Sequence, residues 1–373
     1  MNWCLVAGAR PQFIKLAPLI HALKKRGESF FLIHTGQHYD ENMSELFFRE
    51  MDIPAPHVNL EIGSLSHGAQ TGRMIEQMEA VLLQENRSIV VLFGDTNSTL
   101  AGAVAASKLK IPIAHIEAGL RSFNFDMPEE QNRILTDHLS TFLFCPTQGA
   151  EIQLVREGIE DGKKYQGRYL SQRHVSVTGD IMADALYSFS ARAADQNQKD
   201  KMKYEDEPFL LLTLHRAENT DDARRLKEIF SQLEDIRLPI ILPLHPRTAK
   251  MLKKENIVLS SRIYVTEPLG YLDMIRLERK ARCIITDSGG IQKEAYLLKV
   301  PCVTLRRETE WTETLSHGWN QLAYSAQGLQ IGEALEKALC LDRGKTLWPA
   351  YYGDGHAAER IIERVKSWGN ASL

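Results

Sequence analysis

The chain has 373 residues, 43% hydrophobic and 25% charged, with a formal net charge of −3. That length allows two domains of ordinary size. The weak, mixed charge offers no footprint for nucleic acid or an anionic membrane surface, so neither partner is expected. No apolar run approaches the roughly 20 residues that a membrane-spanning helix needs. The opening MNWCLVAGARPQF runs straight into a strand without a basic leader, so a cytoplasmic location is expected. The cysteines are Cys4, Cys145, Cys283, Cys302 and Cys340. None has CxxC spacing, and they read as reduced side chains, not as a metal site.

In chain order, Trp3–Ala7 is predicted as a strand, Gly8-Ala9-Arg10-Pro11 as a sharp turn and 13–25 as a helix. Arg10 and Lys15 then flank a helix N-terminus, where cations favour an anion such as phosphate. Taken alone, the two fit a turn arginine and a surface lysine better. A second strand at 30–35 leads into the exit loop Gly36-Gln37-His38-Tyr39. A helix is expected at 43–51, a loop at 54–63 and a helix at 70–84.

The most informative stretch is VVLFGDTNSTLAGAVAASKLKIPIAHIEAGLRSFNFDMPEEQNR. Its apolar runs, 89–93 and 111–116, read as buried parallel strands. The small, alanine-rich segment 96–110 between them reads as a helix. Each strand breaks off at a carboxylate, Asp95 after the first and Glu117 after the second. Those ends are where open α/β sheets place their ligand crevice. Glu129 and Glu130 are expected in the following loop. Any one of these carboxylates fits a helix cap or a solvated loop end; as a set they point to proton chemistry or a bound cation.

A strand at 141–145 and a helix at 148–157 complete the first alternating series, which predicts a parallel sheet covered on both faces. The polar, basic segment 158–174 is read as the approach to a domain boundary. The pattern restarts at 175–178, with a helix at 183–189 and a charge-rich excursion at 194–207. Further strands are expected at 209–214, 240–244, 263–266, 283–286 and 302–305. Helices are expected near 223–233, 272–281, 292–299 and 331–341, with a last amphipathic helix at 355–368. The fold class is therefore α/β, with two Rossmann-like domains facing a central cleft. The first spans 1–170 and is joined by the C-terminal helix 356–373; the second spans 175–355.

In the second half, TDSGGIQKE follows a strand and opens a helix. Ser288, Gly289 and Gly290 let the backbone approach a ligand, and the helix N-terminus there favours a diphosphate. Glu294, one turn on, could accept from a ribose diol. A glycine-rich turn with a serine cap accounts for the same residues. His215, in LHRAEN, ends a strand and could serve as acid, base or phosphate ligand. HPR ends the next strand, and Arg306 begins the charged loop RRETEWTE. The absence of GxxxxGK[ST] excludes P-loop chemistry. GDGHAA near the C-terminus lacks the preceding strand of a dinucleotide fingerprint.

These residues resemble the non-hydrolysing UDP-N-acetylglucosamine 2-epimerase family over nearly the whole length. The shared motifs are GARPQFIK (family form GTRPEAIK), GQH, GDT, HIEAGLRS, MPEE.NR, HR.EN, HPR, TDSGGIQ.EA and YGDG. The resemblance implies a glycosyltransferase B type fold, no metal or nicotinamide cofactor, and a homodimer formed through first-domain helices. It implies inversion of C2 of UDP-GlcNAc to give UDP-ManNAc, a step in cell-surface polysaccharide synthesis. A base takes the C2 proton, UDP leaves from C1, the 2-acetamidoglucal is protonated on its other face, and UDP adds back.

Position by position, the resemblance makes Asp95, Glu117 and Glu129 the acid/base carboxylates and His215 their partner. It gives the diphosphate to Arg10, Ser288, Gly289 and Gly290, and the ribose to Glu294. Lys15 and Arg306 join the substrate-binding set. Gln37, His38 and Arg73 fall at regulatory positions, without the Arg that follows GQH in members activated by their own substrate. Gln12 in place of a Glu, and RRETEWTE in place of R.TTERPE, are more similar to relatives acting on UDP-2,3-diacetamido-2,3-dideoxyglucuronate. Both sugars stay open at this point. So do two other classes: a glycosyltransferase on this fold, which would need an acceptor site, and a non-catalytic UDP-sugar-binding protein.

Overall fold

The computed structural model describes residues 1–37, 48–63, 65–85, 87–167, 169–195 and 203–371. His38 and most of the helix expected at 43–51 lie outside them. The chain divides into two compact units. One is Met1–Ser188 together with Ala350–Leu373, the other Phe189–Pro349. Two Rossmann-like α/β units in one chain are the glycosyltransferase B type architecture.

The first unit runs β1 (Trp3–Ala7), α1 (Arg10–Lys25), β2 (Phe30–His34), β3 (Val58–Asn59), α2 (His67–Gln84), β4 (Ile89–Phe93) and α3 (Asn97–Lys108). It continues with β5 (Ile113–Ile116), α4 (Pro128–Leu139), β6 (Phe142–Cys145), α5 (Gln148–Arg156), β7 (His174–Val177) and the first part of α6 (Ile181–Asp195), within which the division at Ser188 falls. The strands form one seven-stranded sheet in the order β3-β2-β1-β4-β5-β6-β7. Its pairs are parallel. Every residue of β1, β4, β5 and β6 is buried, as unbroken apolar strands covered on both faces must be. The expected boundary at 170–175 falls just before β7, and β7 pairs with β6 in this first sheet.

The second unit runs β8 (Leu210–Thr213), α7 (Ala217–Thr220), α8 (Ala223–Glu234), β9 (Ile240–Pro243), α9 (Pro246–Lys254), β10 (Ile263–Thr266) and α10 (Tyr271–Lys280). Then come β11 (Cys283–Thr286), α11 (Gly289–Leu297), β12 (Cys302–Thr304), β13 (Asn320–Leu322), a small hairpin of β14 (Tyr324–Ser325) and β15 (Gly328–Leu329), and α12 (Ile331–Leu339). Its six-stranded order, β10-β9-β8-β11-β12-β13, repeats that of β3 to β6 in the first sheet, without a counterpart of β7. In each unit the strand order reverses once, between β1 and β4 and between β8 and β11. That reversal is the topological switch point, beside which doubly wound sheets bind ligands at their carboxyl edge.

The final helix, α13 (Ala357–Ala371), returns to the first unit. Asp184 on α6 accepts from the N–H groups of Ala357 (3.0 Å) and Ala358 (2.8 Å), capping that helix from outside. Burial pushes the Asp184 carboxyl up to about 6 in spite of those two bonds. Lys25–Glu359 and Arg26–Glu363 ion pairs tie α13 to the end of α1, and Trp368 meets Phe142 edge-on.

Among the described residues no helix is long and apolar enough to cross a membrane. All five cysteines are free, and only Cys340 is exposed. Burial pushes the Cys4 and Cys283 thiols up to about 12, which makes them unreactive.

Candidate active site

In the first unit the candidate residues gather at the carboxyl ends of β1, β4 and β5. The turn after β1 is built around Gln12, which is 1% exposed. Its Oε1 accepts from Gly8 N (2.8 Å) and Ala9 N (3.0 Å), while its Nε2 donates to Phe93 O (2.9 Å) and Thr99 Oγ1 (3.0 Å). The amide ties the β1 turn to the end of β4, using donors that a carboxylate lacks. A Cβ on Gly8 would lie 1.7 Å from Thr35 Oγ1, so only glycine fits there. Arg10, half-buried, is the first residue of α1.

Lys15 is not a surface lysine. It is 7% exposed, on the inner face of α1, in a short ion pair with Glu117, itself 8% exposed. Glu117 has φ +76, a left-handed conformation for a non-glycine residue. Strain of that kind persists only where the surroundings impose it, and it gathers at functional positions. Here Glu117 N and Ala118 N both donate to Phe144 O at 3.1 Å, holding the bend.

Asp95 follows Gly94 off the end of β4. Its side chain is 32% exposed and paired with Arg133. Asn132 Nδ2 donates to Asp95 O at 2.9 Å, so consecutive residues of α4 hold both the main chain and the side chain of Asp95. Glu129 and Glu130 lie in the first turn of α4, not in a loop. Pro128 suits the first helical position because its missing N–H would be unpaired there, and the two acids complement the helix dipole. The neighbours diverge from there. Glu129 is exposed. Glu130 is fully buried and accepts from Ser122 N (2.9 Å), Ser122 Oγ (3.0 Å), Phe123 N (2.9 Å) and Arg133. Burial alone would raise its pKa; the Ser122 and Phe123 amides and Arg133 outweigh that and hold it below the usual carboxylate range.

Beneath these residues lies a buried polar network that sequence patterning did not reveal. His115 and Asp137, both 0% exposed, are joined Nδ1 to Oδ1 at 2.7 Å. Arg121 donates to Asp137 Oδ2 at 2.8 Å and forks onto Glu157 at 2.7 Å to each oxygen. Burial opposes ionisation of Asp137 and Glu157, but His115 and Arg121 beside the first, and Arg121 and Gln153 beside the second, bring both below the usual range. Folded-state depression gives stability that is present above the unfolded carboxyl value of about 4 and lost as pH falls through the lower folded values. Far-UV circular dichroism of the first unit is therefore expected to hold down to about pH 4 and collapse only below it. A transition centred near pH 6 would contradict this.

Of the positions read as regulatory, Gln37 accepts from Ser98 N (3.1 Å) and Ser98 Oγ (2.6 Å) at the start of α3. Arg73 is exposed on α2 and lines a small cavity of ≈ 220 Å³ with Leu60, Glu61 and Gln77.

In the second unit the organising residue is Asp287, 0% exposed at the end of β11. It accepts from His215 N (3.1 Å), Arg216 N (2.9 Å) and Asn219 Nδ2 (3.1 Å), and His215 Nδ1 lies 3.3 Å away. This carboxylate fixes the loop after β8 and leaves the His215 ring 39% exposed. Ser288 caps α11, its Oγ accepting from Ile291 N at 3.5 Å, as a serine cap should. A Cβ on Gly289 would meet Glu310 Oε1 at 2.7 Å and Trp311 Nε1 at 3.0 Å, so the charged loop after β12 packs on the glycine turn.

Arg306 is buried and bonded to Glu310 at 2.7 Å, and Arg216 approaches the same carboxylate at 3.8 Å. Burial would raise the Glu310 pKa, but these two cations keep it low. Lys293 lies 3.8 Å above the Trp311 ring. Glu294 is 4% exposed, one turn into α11. His215, Ser288 and Arg306 thus collect at the carboxyl edge beside this unit's switch point, as Arg10, Asp95 and Glu117 do beside the other.

A family model described as UDP-N-acetylglucosamine 2-epimerase matches residues 21–366. The chain is 46% identical to the UDP-2,3-diacetamido-2,3-dideoxy-D-glucuronate 2-epimerase of Pseudomonas aeruginosa, over 97% of this chain and 99% of that protein. It is 45% identical to a UDP-N-acetylglucosamine 2-epimerase homolog of Methanococcus maripaludis, over 98% and 100%. The crystal structure of Methanocaldococcus jannaschii UDP-GlcNAc 2-epimerase in complex with UDP-GlcNAc and UDP is similar at a TM-score of 0.88 and 44% identity, covering 98% and 100% of the two chains. With the motifs, both sheets and the full length in agreement, the chain belongs to the UDP-N-acetylglucosamine 2-epimerase family.

Proposed function

We propose that the protein is an isomerase that inverts C2 of a UDP-2-acetamido sugar, converting UDP-GlcNAc to UDP-ManNAc. The observation that carries this reading is the pair of carboxylates on adjacent strand ends, Asp95 held by Arg133 and Glu117 held by Lys15. Inversion needs a group to take the C2 proton and another to return one on the opposite face. We assign that work to Asp95, Glu117 and Glu129, and an acid/base role also to His215. As the C2–H bond breaks, its electrons form the C1–C2 double bond, the C1–O bond opens and UDP departs with that electron pair. Protonation of C2 on the other face and return of UDP to C1 close the cycle, with no net change in atoms or electrons.

We assign diphosphate binding to Arg10, Ser288, Gly289 and Gly290, ribose binding to Glu294, and a supporting role to Arg306. We also propose a cytoplasmic homodimer that supplies cell-surface polysaccharide synthesis. The free, largely buried cysteines are in keeping with a reducing compartment.

A second substrate has its own support. Gln12 and the RRETEWTE loop are the departures noted from the sequence, and the 46% identical Pseudomonas relative bears the name of a diacetamidoglucuronate epimerase. The test is incubation with each nucleotide sugar in deuterated water. The true substrate is expected to gain deuterium at C2 and to yield the manno isomer. Exchange with neither sugar would sink the proposal.

A further inference from the structure

Gly94 is tied to β5 at both ends of its backbone. Its N–H donates to Ile116 O at 3.0 Å, and its carbonyl oxygen lies 2.8 Å from His115 Nε2. The second contact matters more, because the Gly94 carbonyl belongs to the peptide unit that leads into Asp95. Holding that oxygen sets the plane of the peptide. Gly94 has φ +63, so this turn is not a conformation that the strand would adopt unaided.

The other ring nitrogen of His115 meets Asp137 Oδ1 at 2.7 Å. The two ring nitrogens thus lie within hydrogen-bond distance of a main-chain carbonyl on one side and a carboxylate on the other. Asp137 Oδ2 in turn accepts from Gly119 N at 3.1 Å and Arg121 Nη1 at 2.8 Å. Gly119 has φ +82 and a Cβ there would lie 2.3 Å from Ala150 O, so the segment after Glu117 is as constrained as the turn before Asp95. One buried ring therefore spans from the peptide carrying Asp95 to the clamp on the bend carrying Glu117.

We propose that His115 is a positioning residue for proton transfer at C2, keeping Asp95 and Glu117 in fixed register through Gly94 and Asp137. The proposal rests on the epimerase reading of those two carboxylates. His115 is 0% exposed and does not itself meet substrate. A histidine that merely satisfied the core would have no bearing on turnover.

The test is His115→Gln, which can keep one of the two hydrogen bonds but not both. A misplacement on the order of 1 Å can lower a rate about 100-fold. The expected result is a fall of that order in kcat for C2 deuterium exchange, with KM and UDP affinity unchanged, because nucleotide binding lies with other residues. Asp184→Asn, which loosens α13 in the same unit, serves as the control and is expected to lower the melting temperature without moving kcat. A wild-type kcat in His115→Gln, or a loss shared equally by kcat and the folded fraction, overturns the proposal. Should that variant fail to fold, Asp137→Asn decides by the same kcat and KM criterion. Wild-type protein that exchanges no deuterium would instead remove the epimerase reading, so the two failures are distinct.

Discussion

Asp95→Asn is expected to lower C2 exchange by roughly 10²–10⁴-fold, the usual contribution of one acid/base group. The substitution is nearly isosteric, so Asn132 can still bond the main-chain oxygen of residue 95. What disappears is the negative charge facing Arg133 and with it the ability to accept a proton. Arg133 stays bound to Glu130, whose other partners pin residues 122–123, so the surrounding loop keeps its shape. The loss should therefore appear in kcat, with UDP affinity measured by calorimetry unaltered. Exchange at the wild-type rate would remove Asp95 from the chemistry.

Asp287→Ala is expected to act through stability. Its carboxylate is the shared acceptor for two backbone N–H groups and one side-chain amide around the His215 loop. A buried donor left without a partner costs about 1–3 kcal/mol. Three such donors place the expected loss at about 3–9 kcal/mol if no water enters. Urea unfolding followed by fluorescence would register it, and the second unit should unfold first. Turnover is also expected to fall, because the loop that presents His215 loses its anchor. A change below about 1 kcal/mol, the size of one ordinary hydrogen bond, would show that water replaces the carboxylate.

Much of this architecture was legible in the residues. Runs such as IVVLF have no polar face, so they had to be central strands, and β4 spans the residues expected of it. The carboxylates were found because chemistry at strand ends follows from topology. Other elements had no comparable signal. β3 is only two residues long, within the stretch read as a loop. β13 is the polar edge strand Asn-Gln-Leu. α9 begins at the proline of HPR, where the residue acts as a helix opener and not as a turn marker. Glu129 and Glu130 were read as loop for the same reason. The His115–Asp137 pair was invisible because its members are 22 residues apart and meet only once β5 and α4 have packed. Lys15 looked like a solvent lysine until its partner 102 residues away came into view.

The return of the last helix has a bearing on biosynthesis. Residues 350–371 complete a body whose other parts precede residue 189, and the cap on Asp184, the Trp368 contact and the pairs with α1 all require that tail. As the ribosome releases the chain from its N-terminus, the first lobe must wait, unfinished, while some 160 intervening residues are translated and folded. Nascent protein is therefore most exposed to chaperones and proteases during that interval, and ribosome stalling after residue 349 would strand a lobe that lacks its closing helix.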